Sequence, residues 1–156
     1  MALRKPAIAG AMGAFVAGLL LHLVLPAVVG VVLAVAVSGL TILDPLYAGE
    51  RVNATWSALG MILSIQVLHT LITAPLAGGL AGSLAPRLQG LWAYLTGAFV
   101  SAALHYVLSF IVIAGLSAVA AERDSGQVRG ISLALVTVAG PLIGLVGVFV
   151  ARRRVP

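Results

Sequence analysis

Between Trp56 and Leu84 the chain runs for 29 residues without a charge. A helix rising about 1.5 Å per residue would carry this run roughly 43 Å, against a hydrocarbon core of about 30 Å. It is therefore long enough to cross a bilayer and must tilt, bend or continue into the headgroups. Pro75 stands where it would bend. Gln66, His69, Thr70 and Thr73 fall at i, i+3, i+4 and i+7, which gathers four polar groups on one helical face. Lipid is a poor solvent for that face, so it is expected to point into the protein.

Three more apolar runs accompany it. Pro6 to Leu43 is 38 residues without a charge, too many for one straight span. Pro26 and Gly30 mark where it would adjust, either as one long helix bent at Pro26 or as a hairpin of two short helices. Ala34-Val35-Ala36 has the small-x-small pattern of a leader-peptidase site, but the apolar stretch before it is nearly twice the usual length, which favours a retained anchor. Leu91 to Ala121 opens on Trp92 and Tyr94, as an interfacial aromatic belt would, and Ile131 to Ala151 has standard span length. Asp44 to Thr55 and Glu122 to Gly130 read as aqueous connections, and the stretch from Ala85 to Gly90 as a short turn. Asn53-Ala54-Thr55 matches a glycosylation acceptor, but next to Trp56 a helix-capping role for Asn53 or Thr55 is the expectation. The sequence thus predicts an all-α, polytopic integral membrane helical bundle of four transmembrane spans. They cover approximately residues 7–37, 56–84, 91–121 and 131–151, or five spans if Pro26 forms a hairpin. Hydrophobic residues make up 62% and charged ones 8% of the chain, whereas soluble domains carry about a quarter charged residues. With connections this short, residues 1–156 are expected to form a single transmembrane domain with the lipid bilayer as its principal partner.

Arg4, Lys5, Arg152, Arg153 and Arg154, five of the nine basic residues, flank the first and last apolar runs. Positive-inside anchoring accounts for them better than nucleic acid, and no nucleic-acid partner is expected. Both termini are then cytoplasmic, an even number of spans is required, and the cell membrane is the expected location. There is no cysteine, which excludes disulfides and thiolate ligands.

His69 and His105 are each eighteen residues from Arg87, so antiparallel helices turning there place them at one depth. Gly97, Ser101, His105 and Ser109 recur every four residues, a small and polar face that matches the stripe of Gln66, His69, Thr70 and Thr73. The two stripes are expected to pack together, with Thr73 opposite Ser101 and the two imidazoles within reach of a hydrogen bond, directly or through one water. The azimuth of His22 cannot be read. These groups have two readings. As interhelical glue they are worth about 0.6 to 2 kcal/mol per contact; as intramembrane ionisable groups they are candidates for proton transfer or for ligating haem or metal. No carboxylate, thiolate or paired-histidine motif completes a coordination sphere within the spans, so no metal ligands and no cofactor are assigned.

Gly78 and Gly82, Gly97 and Ser101, and Gly140 and Gly144 have the four-residue spacing that lets helix backbones approach. Internal packing is the first reading, and a self-associating face or a membrane-protein partner the second. Prolines followed by glycine at Pro26–Gly30, Pro75–Gly78 and Pro141–Gly144 resemble the broken helices of transporters, with ordinary kinks as the simpler account. The four acidic residues lie in the two polar connections, and no nucleophile, acid and base converge, so an enzyme is not expected. What remains is a small non-enzymatic membrane protein with an assembly or accessory role. The alternatives are a small transporter, channel or proton-conducting subunit using His69 and His105, and then a haem- or metal-binding membrane protein. The topology has a direct check. Reporter fusions at the two ends should both register the cytoplasm, and a C-terminal reporter active only on the far side of the membrane would overturn the even count.

Overall fold

The computed structural model describes residues 4–41, 48–119 and 125–154, all of them helical except Leu88 and Gln89. The first rod consists of α1 (Arg4–Gly18), a π-helical turn (Leu19–Val24) and α2 (Leu25–Thr41). The second consists of α3 (Ala48–Leu68), a second π-helical turn (His69–Thr73) and α4 (Ala74–Leu84). A 3₁₀ turn (Ala85–Arg87) leads to α5 (Gly90–Val119), and α6 (Ser125–Arg154) ends the fold. Four helices are long and apolar enough to cross a membrane, at Arg4–Gly39, Val52–Arg87, Gly90–Val112 and Val128–Arg153.

The distribution of polarity is the reverse of a soluble bundle. Val, Leu, Ile and Phe side chains cover the outside, with Phe99 and Phe110 about three-quarters exposed, while the largest buried side chains include three histidines and a glutamine. Hydrocarbon outside and polar groups inside is the arrangement a bilayer favours, because polar groups there have no water to turn to.

The two π turns have a common cause. Proline lacks an N–H and its ring collides with the carbonyl four residues back. Just ahead of Pro26 the Leu25 N–H bonds the Leu20 carbonyl, and just ahead of Pro75 the Ala74 N–H bonds the His69 carbonyl, each spanning five residues instead of four. The wider turn accommodates the ring and helix continues on the far side. The hairpin alternative at Pro26 is therefore replaced by an uninterrupted helix with a π turn. The broken-helix reading of the proline and glycine pairs falls for the same reason, since Pro141 also lies inside continuous helix.

Helix also extends into the segments expected to be aqueous connections. Residues 48–55 belong to α3 and residues 125–130 to α6. Alanine, glutamate, arginine and glutamine in these stretches are good helix formers, and a helix leaving the bilayer has no reason to stop at its edge. Asn53 and Thr55 consequently lie within α3 and do not cap it. The short turn after α4 is tight because Leu88 is extended and Gly90 takes φ +51, a left-handed conformation that favours glycine.

Packing is closest where α1, α4 and α6 meet. A Cβ placed on Gly10 would run into the carbonyl oxygen of Gly78, and one placed on Gly147 would lie 3.0 Å from the Gly78 Cα. Gly82 faces the carbonyl oxygen of Pro6, and Gly97 and Gly144 bring α5 and α6 together in the same way. These contacts gather the start of α1, the turn after α4 and the end of α6 at one end of the bundle, where Arg152 also donates a hydrogen bond to the Leu88 carbonyl. At the other end α2 packs against α3 and α3 against α6. Replacing Gly78 or Gly82 with leucine should overpack backbone against backbone and lower the apparent melting temperature in detergent, by an amount equivalent to about 1–3 kcal/mol or more. Gly60→Ala is the control, because nothing lies within 4 Å of a Cβ there. Equal melting temperatures for all three variants would disprove the contact.

Candidate functional site

The polar residues of three of the four rods meet at mid-bundle. His22 comes from the first π turn, His69, Thr70 and Thr73 from the second, Gln66 from the end of α3, and Ser101, His105 and Ser109 from α5. Each is at most 3% exposed. Ser132 of α6 is buried as well.

The three imidazoles form a compact triangle. Ring centroids are 5.4 Å apart for His69 and His105, 5.2 Å for His22 and His105, and 5.6 Å for His22 and His69. Nearly equal sides exclude a stacked column, in which the outer rings would stand at twice the inner spacing. Each ring instead touches both others. The His69 and His105 planes are within 8° of parallel.

Neighbouring groups fix two of the rings. The His105 Nδ1 lies 2.6 Å from the Ser101 carbonyl oxygen; since a carbonyl only accepts, Nδ1 carries the hydrogen and Nε2 is left as the free nitrogen of the neutral ring. Gly140 presses on the other side of this residue, because a Cβ there would stand 3.4 Å from that of His105. His69 shares a hydrogen bond of 2.9 Å between its Nε2 and the Ser109 hydroxyl, leaving Nδ1 free. Thr70 donates to the Gln66 carbonyl at 2.9 Å and reaches the Gly18 carbonyl of the first rod at 3.4 Å. No hydrogen bond joins His69 to His105, and none joins Thr73 to Ser101. The histidines meet through their rings, and serines of α5 hold two of them.

Among the described residues, eight buried polar atoms lack a well-formed hydrogen bond to the protein, although the Gln66 amide neighbours His22 closely enough to interact with it. The eight are both nitrogens of His22, both amide atoms of Gln66, His69 Nδ1, His105 Nε2, and the hydroxyls of Thr73 and Ser132. An orphaned buried polar group costs about 1–3 kcal/mol, so eight of them would rival the whole stability of an ordinary domain, about 5–15 kcal/mol. A cluster of this kind is sustainable only with polar partners such as water or a small polar ligand. Every ring offers at least one nitrogen without a well-formed hydrogen bond. Among the described residues, no group of three His, Cys, Asp or Glu side chains is arranged to hold a metal ion.

The sequence puts His22 near the middle of the first run but gives no azimuth for it, and it does not single out Ser132. A signal for His22 was present. It stands eighteen residues from Arg4, the same chain distance that separates His69 and His105 from Arg87, and Arg4 and Arg87 lie at one end of the bundle.

No protein-family model matches this chain, and neither a curated protein nor a solved structure is similar to it.

The ring contacts have a chemical readout in a chain without native cysteine. His69→Cys combined with His105→Cys, and His22→Cys combined with His105→Cys, should each crosslink efficiently with short bifunctional reagents. Pairing His69→Cys with Phe110→Cys should not, since Phe110 faces outward. Indiscriminate crosslinking of all three pairs would show that the rods rotate too freely for the triangle to persist.

Proposed function

We propose that the protein is a non-enzymatic, four-span integral membrane protein of the cell membrane, with both termini cytoplasmic, whose working part is the histidine triad. In this reading it is a small transporter or proton-handling subunit that takes up protons, or a small polar species bound along with them, at mid-membrane. The observation that carries the reading is a fully buried triangle of rings, each with at least one nitrogen that makes no well-formed hydrogen bond to the protein. Each neutral imidazole has one donor and one acceptor nitrogen. The rings make no direct hydrogen bond to one another, so a proton passes between them only through a bridging water or hydroxyl, each group exchanging donor and acceptor roles as it does so. Intramembrane ionisable groups are expensive and commonly mark ion and proton pathways. The orientation is supported by Arg4, Lys5, Arg87 and Arg152 to Arg154 belonging to the described segments that meet at one end, whose sequences contain no acidic residue.

A second reading, an assembly or accessory role in which the polar groups serve only as interhelical glue, is favoured by one feature. Toward the basic end the interior between α1, α4 and α6 consists of Gly10, Ala14, Gly78, Ala81, Gly147 and Val148, with no polar side chain to continue a path.

Proteoliposomes separate the two. Purified protein should carry a proton flux, and His22→Phe and His105→Phe should abolish it. A wild-type protein with no flux at any pH, whose histidine variants only lose thermal stability, would leave the assembly role.

A further inference from the structure

A groove of about 660 Å³ runs along the outside of the bundle between the first rod and α6, on the outward side of the helix that carries the buried His22 and independent of any reading of the histidines. Its floor is made by Ala9, Gly13 and Ala17, and it is narrow because Gly13 is pressed against Val150. Ile8, Met12 and Val16 of α1 and Leu20 of the π turn line it and are each more than half exposed. From Lys5 to Leu20 it extends about 22 Å along the helix, more than one leaflet's share of a core about 30 Å thick. Every lining residue is apolar except Lys5, which stands at the basic end.

We propose that this groove is a binding site for an anionic phospholipid, with an acyl chain along Ala9, Gly13 and Ala17 and the phosphate at Lys5 and Arg153. Arg153 is one helical turn beyond Val150, on the side of α6 that forms the groove wall, and it is exposed, with its guanidinium 4.3 Å from the centre of the Phe149 ring. Lys5 is exposed on the facing helix. Lys5 lines the mouth of the apolar slot and Arg153 stands a turn beyond its α6 wall, from where it reaches a headgroup by leaving the Phe149 ring; with no acidic residue in the segments that meet there, the pair complements a headgroup carrying net negative charge and discriminates against a zwitterionic one. The same pair disfavours a second copy of the chain as occupant. A symmetric dimer on this face would place its own Lys5 and Arg153 close to these, like charge against like.

Lipid retention decides the matter. The protein is purified in a mild detergent, supplied with an equimolar mixture of phosphatidylglycerol and phosphatidylcholine of matched chains, and read by native mass spectrometry. Wild type should retain phosphatidylglycerol in clear preference. Lys5→Gln and Arg153→Gln should each reduce the preference by about fivefold, the effect expected for one basic residue near an anionic surface. Arg87→Gln removes the same charge from the same end of the bundle but lies on the turn between α4 and α5, and it should leave the preference unchanged. Circular dichroism melts of the variants identify any loss of fold, and Lys5→Arg should restore binding. Equal retention of the two lipids by wild type would overturn the proposal. So would an Arg87→Gln effect as large as that of Lys5→Gln, which would mean diffuse surface charge, or a dimer mass that excludes lipid, which would mean a second copy in the groove.

Discussion

Everything in this bundle depends on the disposal of polar groups in a chain that otherwise dissolves in hydrocarbon. A soluble bundle is held together by its apolar core; here apolar surface is as comfortable facing lipid as facing protein, and burying it provides little association energy between helices. What lipid cannot tolerate is Gln66, His69, Thr70, Ser101, His105 and their neighbours, and these are the side chains the fold encloses. The polar cluster thereby fixes the rotation of the helices about their axes. Turning α5 outward would expose Ser101, His105 and Ser109 together and break the Ser109–His69 hydrogen bond.

Such an arrangement requires helices that approach closely, and two sequence devices supply it. Glycine removes the side chains between α1, α4 and α6, so that backbone meets backbone at Gly10, Gly78 and Gly147. Proline supplies the second. By forcing a five-residue hydrogen bond ahead of Pro26 and Pro75, it adds a residue to the local turn and rotates the helix on one side of that turn relative to the helix on the other. His22 lies within one of these turns and His69 begins the other. The two devices meet at Gly18, whose missing side chain admits Ala74 and whose carbonyl is within reach of the Thr70 hydroxyl.

The same physics decides which features were legible in the residues alone. The shared depth of His69 and His105 comes from counting back to Arg87, because rise per residue is nearly constant along a helix and a tight turn sets a common origin. At Gly78, Gly82, Gly97 and Gly144, which carry the four-residue spacing, an added Cβ would meet atoms of a neighbouring helix. Depth is a matter of counting, but azimuth accumulates error. In the first rod a π turn lies inside the stretch from Arg4 to Thr41, so helical phase computed across it is displaced by a residue, and His22 had no partner within its own rod to set its direction. Ser132 is a single hydroxyl in the apolar sequence Ile131 to Val136, indistinguishable by periodicity from an exposed one. The ends of α3 and α6 escaped for another reason. Charged and turn-forming residues mark where a chain enters water, which is not where a helix ends.

The bundle is not equally rigid on the two sides of the histidines, and the difference bears on how anything reaches them. Toward the basic end the closest contacts are between backbone atoms, Gly10 against Gly78 and Gly97 against Gly144, which cannot yield without separating whole helices. Toward the other end α2 meets α3 through side chains, as where Gly30 faces the tip of Leu59, and a cleft of about 450 Å³ opens between α2, α3 and α6, lined by Leu25, Pro26, Leu59 and Ile62 among others. Leu25 and Pro26 are three and four residues from His22, and Ile62 is one turn from Gln66. Leu59 and Ile62 are themselves buried, so this side is closed by packed side chains and the basic end by packed backbone. Side chains can repack within a fixed backbone, whereas the contacts at Gly10, Gly78, Gly97 and Gly144 yield only if whole helices move, a slower class of motion.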